Sequence, residues 1–154
     1  LGFDGLLGFY DVDYGEEEKN LTKAFLQQTP WPFAANSPYF VKGSNFLKEK
    51  LGDGMHKGIT ATANGFYGPQ GRSLRLGAKV PNLNEYLNRF EYKGNKITNF
   101  EMETSALYGL CALLGHEAGT VCAIIANRFS KSYSKDYKKT VDQLIELTLH
   151  RLTQ

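Results

Sequence analysis

Two carboxylates stand two positions apart at the end of an apolar segment, within residues 99–105. If that segment is a strand, Glu101 and Glu103 point to the same face of the sheet. Burying charged groups beside an apolar element costs free energy unless the groups bind a partner. Two neighbouring hydroxyl groups, such as those of a ribose, are a suitable partner for two carboxylates. Taken alone, such a pair is more often a salt bridge at a strand end, so the surrounding elements must decide.

A group of polar side chains that directly follows an apolar segment is called a polar station here, and the Glu101–Glu103 pair is the first. A second polar station lies in residues 64–72, where four of nine residues are glycine or proline, which is typical of a loop. Gln70 carries both donors and acceptors on its amide, and Arg72 carries a permanent positive charge. Phe66 offers a ring face to a planar or sugar ligand. By itself this stretch would be an exposed turn, and Phe66 by itself would more often be a core residue.

Strands and helices are predicted to alternate along the chain. Strands are expected at residues 57–63, 97–102 and 119–126, and helices at 44–51, 82–90, from 104 to Gly115 and from about 134 to the end. The first of these helices has an alternative start near Ser37, and the acidic run 16–18 is interpreted as a solvated turn. The alternation predicts an α/β layered domain with a largely parallel sheet.

Ligands of such sheets bind at the carboxyl ends of the strands. Both polar stations follow directly on predicted strands, and so do Asn127 and Arg128 after the apolar run 119–126. We therefore expect three polar stations to converge on one edge of the sheet.

Composition excludes several classes of function. The chain has 154 residues, 42% hydrophobic and 22% charged, with a formal net charge of +2, so no broad basic field indicates nucleic acid. No apolar run reaches the roughly 20 residues of a membrane helix, and no signal peptide is evident. Cys111 and Cys122 lie in apolar segments without metal-ligand spacing, which predicts two reduced core thiols in a cytoplasmic protein and no metal site.

Three stretches together resemble uridine phosphorylases: residues 66–72 their base-recognition loop, 99–106 their ribose-binding segment, and 124–128 the strand that closes the pocket. Order and spacing agree from about Asp4 onward. The resemblance implies a three-layer α/β/α fold with a mixed, largely parallel central sheet, partial in this chain. It further implies that residues 1–154 are a single α/β domain, the carboxyl-terminal part of a longer nucleoside phosphorylase domain. The family's phosphate-binding residues lie upstream, so no phosphate-binding residue is assigned here.

The activity that the resemblance implies is a pentosyltransferase reaction, the reversible phosphorolysis of uridine to uracil and ribose 1-phosphate. The implied roles are catalysis by Gln70 and Arg72, base binding by Phe66, Gln70, Arg72 and Arg128, and ribose binding by Glu101, Met102 and Glu103. Inorganic phosphate is the co-substrate, and no further cofactor is implied. The family also implies a cytoplasmic homo-oligomer, a dimer or hexamer, with no nucleic-acid or membrane partner.

Several alternatives remain open from the residues. Glu101 either holds the ribose directly or supports the pocket from behind, and Arg128 is either structural or orients Arg72. Residues 124–128 contain no carboxylate that could protonate a purine, which favours a pyrimidine base. The alternative functions are another nucleoside phosphorylase or nucleosidase of the same superfamily, and a nucleoside-binding module without catalysis.

Overall fold

The computed structural model describes residues 1–32 and 35–154. They divide into two compact units, each made of two separate stretches of chain. The first unit comprises Leu1–Lys42 and Lys57–Ala118, and the second comprises Gly43–His56 and Gly119–Gln154. The expectation that residues 1–154 belong to a single domain of a longer protein stays a prediction.

Helices and strands alternate over much of the chain, which confirms the α/β class. The helices are α1 (Glu16–Gln28), α2 (Asn45–Leu51), α3 (Leu83–Arg89), α4 (Thr104–Leu113) and α5 (Tyr137–Thr153). The strands are β1 (Ile59–Thr62), β2 (Glu91–Tyr92), β3 (Asn95–Glu101), β4 (Ala126–Asn127) and β5 (Ser132–Tyr133), and short 3-10 helices span Leu6–Phe9 and Gly68–Gln70. The strands predicted at 57–63 and 97–102 and the helices predicted at 82–90 and after 104 and 134 are confirmed within a few residues.

The sheet of the first unit is mixed, with the order β1-β3-β2. β1 runs parallel to β3, with Thr62 opposite Glu101, and β2 pairs antiparallel with β3. On the other side of β1, Gly2 forms a parallel bridge with Thr62 and an antiparallel bridge with Tyr39. Three neighbouring parallel segments therefore end at one edge of the sheet, and two of the three predicted polar stations follow β1 and β3.

Aromatic rings fill the core beneath this sheet. Phe25 of α1 is fully buried, and its ring centroid lies 5.5 Å from that of Phe90 and 6.0 Å from that of Phe3. The buried hydrophobic cluster comprises Leu1, Phe3, Phe25, Phe40, Ala61, Ala63, Leu83, Leu87 and Phe90. Burying a ring of this size contributes about 2–3 kcal/mol relative to leaving it exposed, so α1 is anchored chiefly through Phe25.

The interpretation of residues 16–18 as a solvated turn is wrong, because these three glutamates form the first turn of α1. Carboxylates at a helix N-terminus interact favourably with the helix dipole, so an acidic run is a start signal as well as a turn signal. The spacing of Leu21, Ala24 and Phe25 supplies the apolar stripe that this helix buries.

Helix α2 begins at Asn45, and the alternative start near Ser37 is wrong. The Ser44 hydroxyl accepts a hydrogen bond from the Leu47 backbone N–H at 3.0 Å, which caps the helix, and Gly52 ends it. Upstream, Tyr39 is committed to extended pairing with Gly2, with N–O distances of 2.8 and 3.1 Å, which is incompatible with helix.

The predicted buried strand at 119–126 is also wrong. Only Ala126–Asn127 is extended and paired, as β4 against β5, and the side chains of Ile124 and Ile125 are exposed. A buried strand needs hydrogen-bonding neighbours, and within residues 1–32 and 35–154 no strand pairs with 119–125. Cys122 is consequently exposed and Cys111 only half-buried, so the expectation of two core thiols is wrong as well.

The leucine-rich side of α4 is not the side of the helix that is buried. Leu107, Leu113 and Leu114 are exposed, while Thr104, Ser105 and Gly109 are buried. The buried face packs closely at Gly109, where an added Cβ atom would lie 2.2 Å from Cδ1 of Leu7. The helix therefore approaches the 3-10 helix Leu6–Phe9 on its small-residue side.

The second unit consists of two helices and a two-stranded hairpin. α2 packs against α5, and Arg151 of α5 donates a hydrogen bond to the backbone oxygen of buried Leu51, the last residue of α2. The Arg151 guanidinium also lies 4.0 Å from the Asp53 carboxylate. A cation at the carboxyl end of α2 complements the helix dipole there. No helix in the described part of the chain has the length and apolar character needed to cross a bilayer.

Candidate active site

The loop after β1 is a compact turn built on backbone hydrogen bonds. The Tyr67 oxygen accepts the N–H groups of Gln70 at 3.1 Å and Arg72 at 2.9 Å, and a 3-10 turn spans Gly68–Gln70. Gly71 has a φ of 72°, in the left-handed region that favours glycine. This geometry turns the side chains of Gln70 and Arg72 toward each other.

Arg72, Gln70 and Phe66, which were predicted to share a role in base binding, form one contact cluster. The Arg72 Nη1 donates to the Gln70 Oε1 at 2.7 Å and to the Phe66 backbone oxygen. The guanidinium stacks over the Phe66 ring, 3.6 Å from its centroid, within the range of a cation–π interaction. Gln70 is buried and Phe66 is exposed, so the amide lies beneath the surface of the loop and the ring lies at it.

Replacing Gly71 by alanine is expected to destabilise the protein by about 1–2 kcal/mol, because the left-handed conformation costs that much for a residue with a Cβ. The added Cβ would also lie 3.0 Å from Nδ2 of Asn84. Gly77→Ala is the matched control, because its Cβ would meet nothing within 4 Å. Urea unfolding of both variants is the measurement, and equal midpoints would contradict the expectation.

Glu101 uses both carboxylate oxygens on its own protein. Its Oε2 accepts the backbone N–H groups of Glu103 at 2.7 Å and Thr104 at 2.6 Å, and its Oε1 accepts the Thr62 hydroxyl. Of the two roles that the sequence left open for Glu101, these contacts favour support from behind. The carboxylate satisfies N–H groups at the start of α4 that the helix itself leaves unpaired.

Met102 and Glu103 lie between the end of β3 and the start of α4, and both are exposed. Oε2 of Glu103 accepts the backbone N–H of Met102 at 3.0 Å. The Glu103 carboxylate is therefore at the surface, on a backbone that Glu101 fixes. Because β1 and β3 are adjacent and parallel, the Gln70–Arg72 loop and the Met102–Glu103 segment leave the same edge of the sheet.

Arg128 belongs to the second unit, in the turn between β4 and β5. There the Asn127 side-chain oxygen accepts the N–H groups of Phe129 at 3.0 Å and Ser130 at 3.1 Å, which shapes the turn. The predicted convergence of Arg128 with the other two stations stays a prediction. Among the residues described, no group of three or more His, Cys, Asp or Glu side chains is arranged to hold a metal ion.

Sequence reasoning missed the polar residues that lie under the site. Thr62 and Ser105 are almost fully buried, and Asp4 is half-buried beside them. Asp4 ends a strand-like segment and Thr62 ends β1, so their position next to turns was the available signal. A single polar residue in an apolar segment is too common to be singled out without its neighbours.

A mixed α/β sheet with polar side chains at the carboxyl ends of its parallel strands is typical of α/β proteins that bind a ligand at that edge. The profile of the phosphorylase superfamily matches residues 13–153, and the chain belongs to that family. The fold is accordingly that of a nucleoside phosphorylase, with the mixed sheet expected for it.

Similar proteins of known sequence or structure carry related names. A uridine phosphorylase of Thermococcus kodakarensis is 39% identical over 97 residues, which are 59% of this chain and 32% of the relative. A uridine phosphorylase of Haemophilus influenzae is 27% identical over 121 residues, 77% of this chain and 47% of the relative. A Trypanosoma brucei nucleoside phosphorylase, whose crystal structure is described as showing uridine phosphorylase activity, superimposes with a TM-score of 0.85 at 25% identity.

That superposition covers 99% of this chain and 55% of the Trypanosoma brucei chain. The chain thus spans about half the length of the relatives it matches, or less.

Proposed function

We propose that the protein is a uridine phosphorylase, which cleaves uridine with inorganic phosphate to uracil and ribose 1-phosphate, reversibly. The observation that carries the proposal is the Arg72–Gln70–Phe66 cluster, a paired amide and guanidinium on a ring face. Its position beside the Met102–Glu103 segment supports it, as do the relatives named uridine phosphorylase.

Base recognition falls to Gln70 and Arg72. Uracil presents an N3–H between two carbonyl oxygens, and an amide can pair with that pattern. The contact with Arg72 fixes the orientation of the Gln70 amide, and the guanidinium carries three further N–H donors on Nε and Nη2. Those donors suit a uracil carbonyl oxygen, and Arg128 is proposed as a further base-side residue.

In the reaction, a phosphate oxygen forms a bond to C1′ of the ribose while the bond from C1′ to N1 of uracil breaks. The bonding electron pair leaves with uracil, whose negative charge spreads onto its carbonyl oxygens and is later neutralised by a proton from water. Arg72 stabilises that charge as it develops, which is where a fixed cation lowers the barrier most. No residue of this chain is assigned to phosphate.

Ribose binding falls to the segment after β3. Glu103 is proposed to accept hydrogen bonds from the ribose hydroxyls, with Met102 packing under the sugar. Both side chains are exposed at the edge from which the base loop also leaves. Glu101 is proposed to act from behind, by holding the backbone N–H of Glu103.

A pyrimidine substrate is preferred over a purine, because residues 124–128 offer no carboxylate to protonate a purine ring. The proposal also includes a cytoplasmic homo-oligomer, a dimer or hexamer, that uses no cofactor besides phosphate. These features follow from the resemblance to the family.

Uracil release from uridine, with and without phosphate, tests the proposal on the protein at its natural length. Phosphate-dependent release of uracil with formation of ribose 1-phosphate is expected. Release without phosphate would indicate a nucleosidase, and preference for another base in a nucleoside panel would indicate another phosphorylase. Binding of uridine without any turnover would indicate a binding module.

A further inference from the structure

Three neighbouring chain segments end in side chains that hold the first turn of α4. The segments are Leu1–Phe3, β1 and β3, joined by backbone hydrogen bonds such as Phe3 N–H to the Thr62 oxygen at 2.9 Å. Asp4 directly follows the first segment, and Thr62 and Glu101 end the other two; we call these three side chains the strand-end clamp. None of the three has a role in the proposed chemistry that involves direct contact with substrate.

Thr62 is the centre of the strand-end clamp. Its hydroxyl donates to Glu101 Oε1 and accepts the backbone N–H of Ser105 at 3.0 Å. Glu101 in turn holds the N–H groups of Glu103 and Thr104. Three consecutive N–H groups at the start of α4 are thus bound by two side chains, one of which, Thr62, is only 1% exposed.

Asp4 closes the clamp from the other side. One oxygen of Asp4 accepts the Ser105 hydroxyl, and the other accepts the Tyr39 hydroxyl and the Leu6 N–H, both at 2.7 Å. Burial raises the pKa of Tyr39, so its hydroxyl stays a donor through the neutral range. The start of α4 is therefore fixed to both β1 and the Leu1–Phe3 segment.

We infer that Thr62 is a positioning residue for ribose recognition. Through Glu101 and the first turn of α4, Thr62 holds Glu103 where its carboxylate can accept a hydrogen bond from the ribose 2′-hydroxyl. The inference rests on the proposed function. Without the Thr62 hydroxyl, Glu101 Oε1 loses a donor and the Ser105 N–H loses its acceptor in a buried place. The half-buried Glu101 carboxylate can then rotate toward solvent and release the Glu103 backbone.

Thr60 provides a matched control on the same strand. Its hydroxyl donates to the side chain of Asn99 on β3 at 3.0 Å, so Thr60→Val also removes one hydrogen bond between β1 and β3. It does so two residues before the strand end, away from the start of α4. Thr62→Val and Thr60→Val therefore remove the same group from one strand, and only the first disturbs the strand-end clamp.

The experiment measures kcat and KM for uridine and 2′-deoxyuridine, and calorimetric Kd values for both, in the protein at its natural length. Thr62→Val is expected to raise KM and Kd for uridine on the order of tenfold, with smaller changes for 2′-deoxyuridine, so the ratio between the nucleosides falls. Thr60→Val is expected to leave that ratio unchanged. Thr62→Ser, which keeps the hydroxyl, is expected to restore it even if thermal unfolding shows a lower Tm.

An unchanged ratio in Thr62→Val, an equal fall in Thr60→Val, or a ratio near one in the wild-type protein would each overturn the inference. Failure of the proposed function is distinguished by the wild-type protein, which would then bind both nucleosides without phosphate-dependent uracil release. The ratio of the two Kd values would still decide the role of Thr62 in that case. A wild-type protein that binds neither nucleoside would overturn both.

Discussion

Arg72→Ala is expected to lower kcat/KM for uridine phosphorolysis by about 10²–10³-fold, the usual cost of removing one donor aimed at developing charge. The side chain also orients the Gln70 amide, so base pairing weakens together with charge stabilisation. Arg72→Lys is expected to recover little, because an ammonium cannot reproduce the planar fork that stacks on Phe66. Steady-state kinetics with a saturating phosphate concentration are the measurement.

Arg75→Ala is the matched control for Arg72, since Arg75 is an exposed arginine three residues further along the same stretch. Its turnover should stay within about twofold of wild type, because surface substitutions of this kind change little. If Arg72→Ala also stays within a few-fold of wild type, the assignment of base stabilisation to Arg72 is wrong.

Glu103→Ala is expected to lower kcat/KM for uridine by about 10- to 100-fold, since a hydrogen bond to a charged group contributes about 1.5–3 kcal/mol. The loss for 2′-deoxyuridine should be smaller, because that nucleoside lacks one of the hydroxyls that the carboxylate accepts from. The measurement is the ratio of kcat/KM values for the two nucleosides in wild type and variant.

Glu85→Ala serves as the control for Glu103, because Glu85 is exposed and its carboxylate lies 3.8 Å from the guanidinium of Arg89, which is also exposed. It should leave both nucleosides unaffected. Equal losses for uridine and 2′-deoxyuridine in Glu103→Ala would contradict a role in reading the ribose hydroxyls.

The elements that the sequence predicted correctly are those whose signals are local. α3 and β3 have clear periodicity, and Ser44 and Gly52 mark the ends of α2. The prediction of a strand at 119–126 was wrong because its signal is not local: β-forming residues make a strand only where another strand pairs with them. α1 was missed because an acidic run was interpreted by charge alone, although Phe25 is fully buried.

The candidate site likewise contains residues that could be predicted from local sequence and residues that could not. Gln70, Arg72 and Phe66 lie within seven residues of one loop, so their proximity could be predicted from the sequence, whereas their mutual contacts are seen only in the structure. The strand-end clamp could not, because Asp4 and Ser105 meet across about 100 positions of chain. Only the register of three neighbouring segments brings such residues together.

The packing of α2 against α5 has a consequence for how the protein is made. α2 ends at Leu51, and α5, which supplies Arg151 to its last turn, begins at Tyr137. At the roughly 5–20 residues per second of synthesis, α2 leaves the ribosome several seconds before its partner exists. A seven-residue helix is not stable by itself in water, so this segment stays unfolded on the nascent chain until α5 emerges. The second unit therefore cannot be completed until after Ala118, the last residue of the first unit, has been synthesised.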